Sequence, residues 1–262
     1  MPLPLLLPFL FVIPEGNLLF VTPTESLALA AASLSATAAV TLAYAALSPG
    51  SQLFGHTLIA GSNPNEAALT YDDGPNDAVT EALLETLATH NARATFFVIG
   101  RYVRQRPEIV RRIRAAGHLV GNHTETHPWL AWQSARGIQE ELRACNQAIE
   151  DALGEPVWYF RPPHGARRPL VLRSAAELGL TTVQWNVMGM DWRPIGADRI
   201  LSHIDRGLAR TRRRGTGANI LLHDGSQHGI GADRAATVAA TTALLKRFAA
   251  DGTRTVTVDA WA

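Results

Sequence analysis

Ala67-Ala68-Leu69-Thr70-Tyr71-Asp72-Asp73-Gly74-Pro75 is an apolar run that stops at two adjacent carboxylates, after which Gly-Pro turns the chain away. In parallel α/β folds the chemistry sits at the carboxyl ends of the strands, which is where these acids fall. Neighbouring side chains at a strand end point in divergent directions, so the pair is expected to divide labour. One carboxylate is free to ligate a metal while the other remains a base.

From residue 63 onward, strand-like apolar runs alternate with helical patterns. Strands are expected at 67–71, 94–99, 118–122, 158–160, 181–186, 218–222 and 253–258. Helices are expected at about 77–90, then from Pro107 through Ala116, and at 138–153, 169–178, 197–209 and 235–249. Seven strands interleaved with helices predict an α/β fold with a parallel barrel or an open parallel sheet. Residues 61–262 read as one catalytic-size domain.

Residues 1–60 read as a separate hydrophobic region. Residues 3–13 are apolar but broken by Pro4 and Pro8, so no regular helix is expected there. Residues 26–47 are uncharged, rich in Ala and Leu, and long enough to span a hydrocarbon core. They are read as a membrane anchor, with a helix buried against the domain as the alternative, and no basic residue marks a cytoplasmic flank.

The chain of 262 residues has a net charge of +1, with no Lys or Arg before Arg93. The arginines at 210, 212, 213 and 214 carry no interleaved aromatics, so they read as a solvated helix end and no nucleic acid is expected as a partner. The single cysteine, Cys145, excludes an internal disulfide and falls in a helical pattern as a buried thiol.

The remaining strand ends collect polar groups. His123 and His127 lie four apart in Gly-Asn-His-Thr-Glu-Thr-His-Pro, and share a face if the segment coils as a helical turn. With one carboxylate they form a two-histidine, one-acid set that suits zinc or a similar divalent metal. Arg161-Pro162-Pro163-His164-Gly165 follows the fourth strand, and Arg161 is able to pair with a carboxylate across the site. Asp191-Trp192 and His223-Asp224-Gly225 follow the fifth and sixth. Trp129 and Trp132 suit either sugar stacking or core packing.

In these residues the chain resembles the polysaccharide deacetylase family (carbohydrate esterase family 4, the NodB-homology domain). Thr70 to Pro75 match Thr-Phe-Asp-Asp-Gly-Pro with Tyr71 for Phe, and His123 to Pro128 match His-Ser/Thr-x-x-His-Pro. Arg161 to Gly165 match Arg-Pro-Pro-Tyr-Gly with His164 for Tyr, Asp191-Trp192 match Asp-Trp, and Leu221 to His223 match Leu-x-His. The resemblance implies a distorted (β/α) barrel of about seven parallel strands and a metal-dependent deacetylase. It implies Asp72 as general base, oriented by Arg161, and Asp73 as metal ligand beside His123 and His127, with Zn2+ or alternatively Co2+ bound. It implies His223 as general acid held by Asp191. Trp192 would wall the acetyl pocket, Leu221 would contact substrate, and the His164 backbone N–H would donate to the oxyanion.

The function read from this is acetyl removal from N-acetylated glycans of chitooligosaccharide or peptidoglycan type. The rivals are an O-acetyl esterase on acetylated polysaccharide and a non-catalytic glycan-binding protein on the same fold. An acetylated glycan is the expected partner, and the catalytic domain is expected outside the cytoplasm, tethered by residues 26–47. The sequence leaves the oligomeric state open.

Overall fold

The computed structural model describes residues 23–262, so the reading made for residues 3–13 lies outside the described residues. These residues fall into two compact units divided after Tyr44. The first carries most of helix α1 (Pro23–Leu47), whose segment Ser26–Leu47 is long and apolar enough to cross a membrane. Its polar side chains look after themselves: the hydroxyls of Ser33, Ser35, Thr37 and Thr41 each donate to the carbonyl four residues earlier. Leu27, Leu29, Leu34, Val40 and Leu42 are exposed.

The second unit, Ala45–Ala262, is an α/β domain. Its strands are β1 (Glu66–Gly74), β2 (Ala94–Val98), β3 (Leu119–Asn122), β4 (Tyr159–Phe160), β5 (Thr181–Thr182), β6 (Val187–Met188), β7 (Ala218–His223) and β8 (Arg254–Thr255). Its helices are α2 (Asp77–Thr89), α3 (Gly100–Gln105), α4 (Pro107–Ala115), α5 (Ala135–Leu153), α6 (Pro169–Glu177), α7 (Ala197–Arg214) and α8 (Ala235–Asp251). The strands pair in parallel in the order β5-β4-β3-β2-β1-β7-β6, with β8 beside the start of β1.

That order forces the sheet to curl. Of residues 181–186, expected as one extended segment, only Thr181–Thr182 form β5; β6 begins at Val187, and the two stand at opposite ends of the order with only four residues between them. In a flat sheet the six intervening gaps of about 4.8 Å would separate the ends by about 29 Å. Five residue steps reach at most about 18 Å. The two ends must therefore approach each other, which yields the distorted (β/α) barrel.

β1 sits between β2 and β7 and every residue in it is buried. Ala67, Leu69 and Tyr71 pack into the main core, whereas Ala68 joins a smaller cluster with Phe97 and Val183. A strand covered on both faces needs such an unbroken apolar run. α5 is defined at both ends: Ser134 accepts from the Gly137 N–H, and Gly154 closes it in a left-handed conformation (φ 72°). Ile138, Leu142, Cys145 and Ile149 form its buried stripe.

Three boundaries differ from expectation for local reasons. α3 was not anticipated, because Gly100 reads as the close of a strand. It opens a helix that packs so tightly that a Cβ there would lie 2.8 Å from the Cys145 backbone. α7 runs on to Arg214 and absorbs the arginine cluster, ending at left-handed Gly215. The last strand contracts to Arg254–Thr255, since Val258 to Trp261 coil and the Trp261 indole N–H donates to Glu66 at 2.7 Å.

Candidate active site

The two acids at the end of β1 converge instead of diverging. Pairing with β2 runs Asp72 to Phe97 and then Gly74 to Val98, so Asp73 bulges out of register with φ 71°. A bulge re-aims a side chain. Asp72 Oδ2 and Asp73 Oδ1 consequently lie 3.7 and 3.4 Å from the same atom, His123 Nε2. Two close backbone approaches accompany the bulge. A Cβ on Gly74 would lie 2.3 Å from the Asp224 carboxylate, and one on Gly225 would lie 2.0 Å from the Asp73 carbonyl oxygen.

His123 and His127 meet by another route than a helical turn. The loop after β3 is irregular, with Thr124 at φ 68° and His127 at φ 65°. Asn122 Oδ1 accepts from the Thr124 N–H at 2.7 Å, and Thr124 Oγ1 accepts from the His127 N–H at 3.0 Å. Together they fold His127 back until its Nε2 lies 3.2 Å from Asp73 Oδ1. Among the described residues other than glycine with positive φ, Asp73, Thr124, His127, His164 and Met190 belong to this region, with Asn91 outside it. Such conformations cost on the order of 1–3 kcal/mol each and persist only where the surroundings impose them.

Asp73, His123 and His127 have ligand atoms all within 4.8 Å of one another. The His123 Nδ1–H donates to the Arg161 carbonyl at 2.7 Å, so in the neutral ring Nε2 presents a lone pair to Asp73. Asp73 Oδ1 is buried and makes no hydrogen bond. Buried lone pairs facing one another at this range are repulsive until a cation sits among them, and the set fits a divalent metal. Burial pushes the Asp73 carboxyl up in pKa. Hydrogen bonding from the imidazoles of His123 and His127 when they carry a proton toward it, and the charge of His223, outweigh this and hold it well below the usual carboxylate range.

Arg161, fully buried, distinguishes the acids. One guanidinium nitrogen donates to Asp72 Oδ1 and Thr70 Oγ1, both at 2.8 Å. The other reaches Asn219 Oδ1 and the Gln184 carbonyl at 3.3 Å, and the Phe97 ring lies 4.2 Å from its centre. Thr70, Asn219 and Gln184 escaped the sequence reading. Thr70 shares a strand face with Asp72, and Asn219 shares one with Leu221 and His223. A polar side chain at such a position in an otherwise apolar strand was the available signal.

At the end of β7, His223 is gripped twice by Asp191: its backbone N–H donates to Oδ2 at 2.8 Å, and Nδ1 lies 2.9 Å from Oδ1. The Thr237 hydroxyl also donates to Oδ2, a contact from α8 without a sequence signal. Burial draws the His223 pKa down, but the charge and hydrogen bond of Asp191, with Asp73 and Asp72 beyond, carry it up to about 9. His164 differs. Burial, reinforced by His127 and His123, lowers it to about 4, so its ring is neutral. It stacks on exposed Trp129, with centroids 4.0 Å apart.

A cavity of about 490 Å³ gathers Asp72, Asp73, His123, His127, His164, Trp192, Leu221 and His223. Arg161 and Asp191 lie buried behind Asp72 and His223. Trp129 and Trp132 are exposed, which excludes core packing for both. The volume lies within the ordinary range of small-molecule clefts.

Residues 60–183 match the family model described as polysaccharide deacetylase. The chain is 42% identical over 167 residues to a chitooligosaccharide deacetylase of Sinorhizobium fredii, covering 63% of this chain and 75% of that protein. It is 38% identical over 157 residues to a peptidoglycan-N-acetylglucosamine deacetylase of Listeria monocytogenes, covering 60% of this chain and 32% of that protein. The crystal structure of the Bc1960 peptidoglycan N-acetylglucosamine deacetylase superposes with a TM-score of 0.70 at 30% identity, covering 78% of this chain and 91% of that one.

Proposed function

Because this chain belongs to the polysaccharide deacetylase family and is a hydrolase of that family, we propose that it removes acetyl groups from N-acetylated glycans of the chitooligosaccharide or peptidoglycan type. The observation that carries this reading is the pair of differently anchored acids: Asp72 tied to Arg161, and Asp73 facing two histidine nitrogens with an unbonded oxygen.

Asp73, His123 and His127 would hold a divalent metal, zinc or cobalt, which would supply polarisation of the acetyl carbonyl and a lowered pKa of a water at the site. Asp72 is the base that takes the proton of the attacking water, since Arg161 fixes one of its oxygens and leaves the other over the cavity. Water oxygen bonds to the acetyl carbon, and the His164 N–H donates to the oxygen that becomes anionic, a contact typically worth about 10²–10³ in rate. The carbon–nitrogen bond then breaks as His223 hands a proton to the departing nitrogen. Acetate and a free amine result. Trp192 and Leu221 line the acetyl pocket.

Two variants test the assignment. Asp73→Asn is expected to lose bound metal and activity together, while Asp72→Asn keeps metal and loses kcat. Metal content by elemental analysis and acetate release from N-acetylglucosamine oligomers provide the readouts. Equal metal retention in both variants, with one still active, would overturn the division of roles. Acetyl-xylan assayed in parallel reads out an O-esterase.

A further inference from the structure

Part of the catalytic cavity is built by chain that precedes the family match. The match begins at residue 60, yet Leu47 and Pro49 line the cavity alongside Asp72 and His223. The segment holding them is fixed at both ends. At its far end Leu58 bridges Val183, just past β5: its N–H donates to the Thr182 carbonyl at 2.9 Å, and its carbonyl accepts from the Gln184 N–H at 2.8 Å.

At its near end the fastening is Arg167, whose side chain is 1% exposed. One guanidinium nitrogen donates to the carbonyls of Ser48 and Ser51, at 2.8 and 2.7 Å. The other donates to the Gly165 carbonyl at 3.1 Å, and the Arg167 backbone N–H donates to the Ala46 carbonyl at 3.0 Å. A buried guanidinium demands acceptors, and its planar fork reaches several at once. Arg167 thereby ties residues 46–51 to the loop that carries His164. Helix-end carbonyls lack partners within the helix and bear partial negative charge, so a cation there is well placed.

We propose that residues 45–58 are a specificity-determining wall of the active site, fastened by Arg167, that contacts the sugars flanking the one being deacetylated. Leu47 is half exposed and Pro49 partly so, and both offer apolar surface without hydrogen-bonding groups at the cavity. Such surface complements the C–H-rich faces of pyranose rings. A small acetyl compound fits near Asp72 and His223 without reaching this wall. The proposal rests on reading the cavity as the deacetylation site, and the experiment separates the two.

In the full chain, Leu47→Asp is compared with wild type on a N-acetylglucosamine hexamer and on 4-nitrophenyl acetate, and hexamer affinity is measured by tryptophan fluorescence. The hexamer KM and dissociation constant are expected to rise about tenfold, a loss typical of one spoiled pocket contact. That loss exceeds the loss on the ester by fivefold or more. Arg167→Lys, which keeps charge but not the fork, is expected to shift the same ratio in the same direction. If it does not fold, the Leu47 arm decides alone. Unchanged hexamer affinity in Leu47→Asp, or equal losses on hexamer and ester, overturns the wall. A wild type that binds hexamer without releasing acetate overturns the function and leaves the affinity comparison to judge the wall.

Discussion

At the residue scale, the Asp191–His223 pair makes the most direct claim about protons. A raised pKa of about 9 keeps His223 protonated through neutral pH, and the acid form is lost as pH rises through that value. A cation held by Asp73 offsets part of what Asp73 contributes. Removing the Asp191 charge removes the leading support, so Asp191→Asn is expected to move the alkaline limb of the kcat/KM profile to lower pH. An unmoved limb would show that another group delivers the proton. Arg161 makes the matching claim about stability. Arg161→Met leaves Asp72 as an uncompensated buried charge, and breaking such a pair costs about 3–5 kcal/mol. Urea denaturation measures it. Adding Asp72→Asn to Arg161→Met is expected to restore part of the loss, because contacting residues do not act additively.

At the scale of elements, the bulge at the end of β1 and the turn after β7 depend on each other. Gly225 lies against the Asp73 backbone so closely that its added Cβ would sit 2.0 Å from the carbonyl oxygen. Backbone cannot step aside as a flexible side chain can. Gly225→Ala is therefore expected to destabilise the domain by about 1–3 kcal/mol, the usual range for overpacking, and to weaken metal binding by displacing Asp73. Thermal unfolding and titration calorimetry with zinc test the two halves of that statement. Ser134→Ala is the contrasting change: it removes the cap of α5 at about 1 kcal/mol and leaves metal affinity unaltered. If Gly225→Ala binds metal as wild type does, the bulge does not depend on that close approach.

For the whole molecule, the two units invite different surroundings. Ser26–Leu47 has no charge and none of its apolar window is buried, so in water it exposes a continuous hydrophobic surface. We propose that its part before Ala45 anchors the chain in a membrane, with the catalytic unit outside the cytoplasm where glycan polymers lie. Residues 45–58 are fastened to the catalytic unit, which makes a cut before Ala45 the informative one. The full chain is expected in the membrane fraction, and a version lacking residues 1–44 in the soluble fraction. Both forms soluble, with equal activity, would rule the anchor out.

The sequence by itself determined the strand-and-helix alternation and most of the polar residues that gather at the strand ends. Both follow from local rules: apolar runs of strand length, and polar groups collected where those runs stop. Asp72, Asp73, His123, His127, Arg161, Asp191 and His223 were each legible this way. Tertiary structure decided how they meet. Side-chain alternation predicted that Asp72 and Asp73 diverge, but an out-of-register residue opposite β2 turned them onto one histidine. Helical spacing was the route offered for His123 and His127, yet hydrogen bonds through Asn122 and Thr124 brought them together. The placement of β5 and β6 at opposite edges comes from their pairing with β4 and β7, and the Thr237 contact to Asp191 and the Arg167 clamp on residues 46–51 likewise join positions far apart in the chain. No local periodicity encodes such pairings, because they exist only once the sheet has curled and brought its ends together.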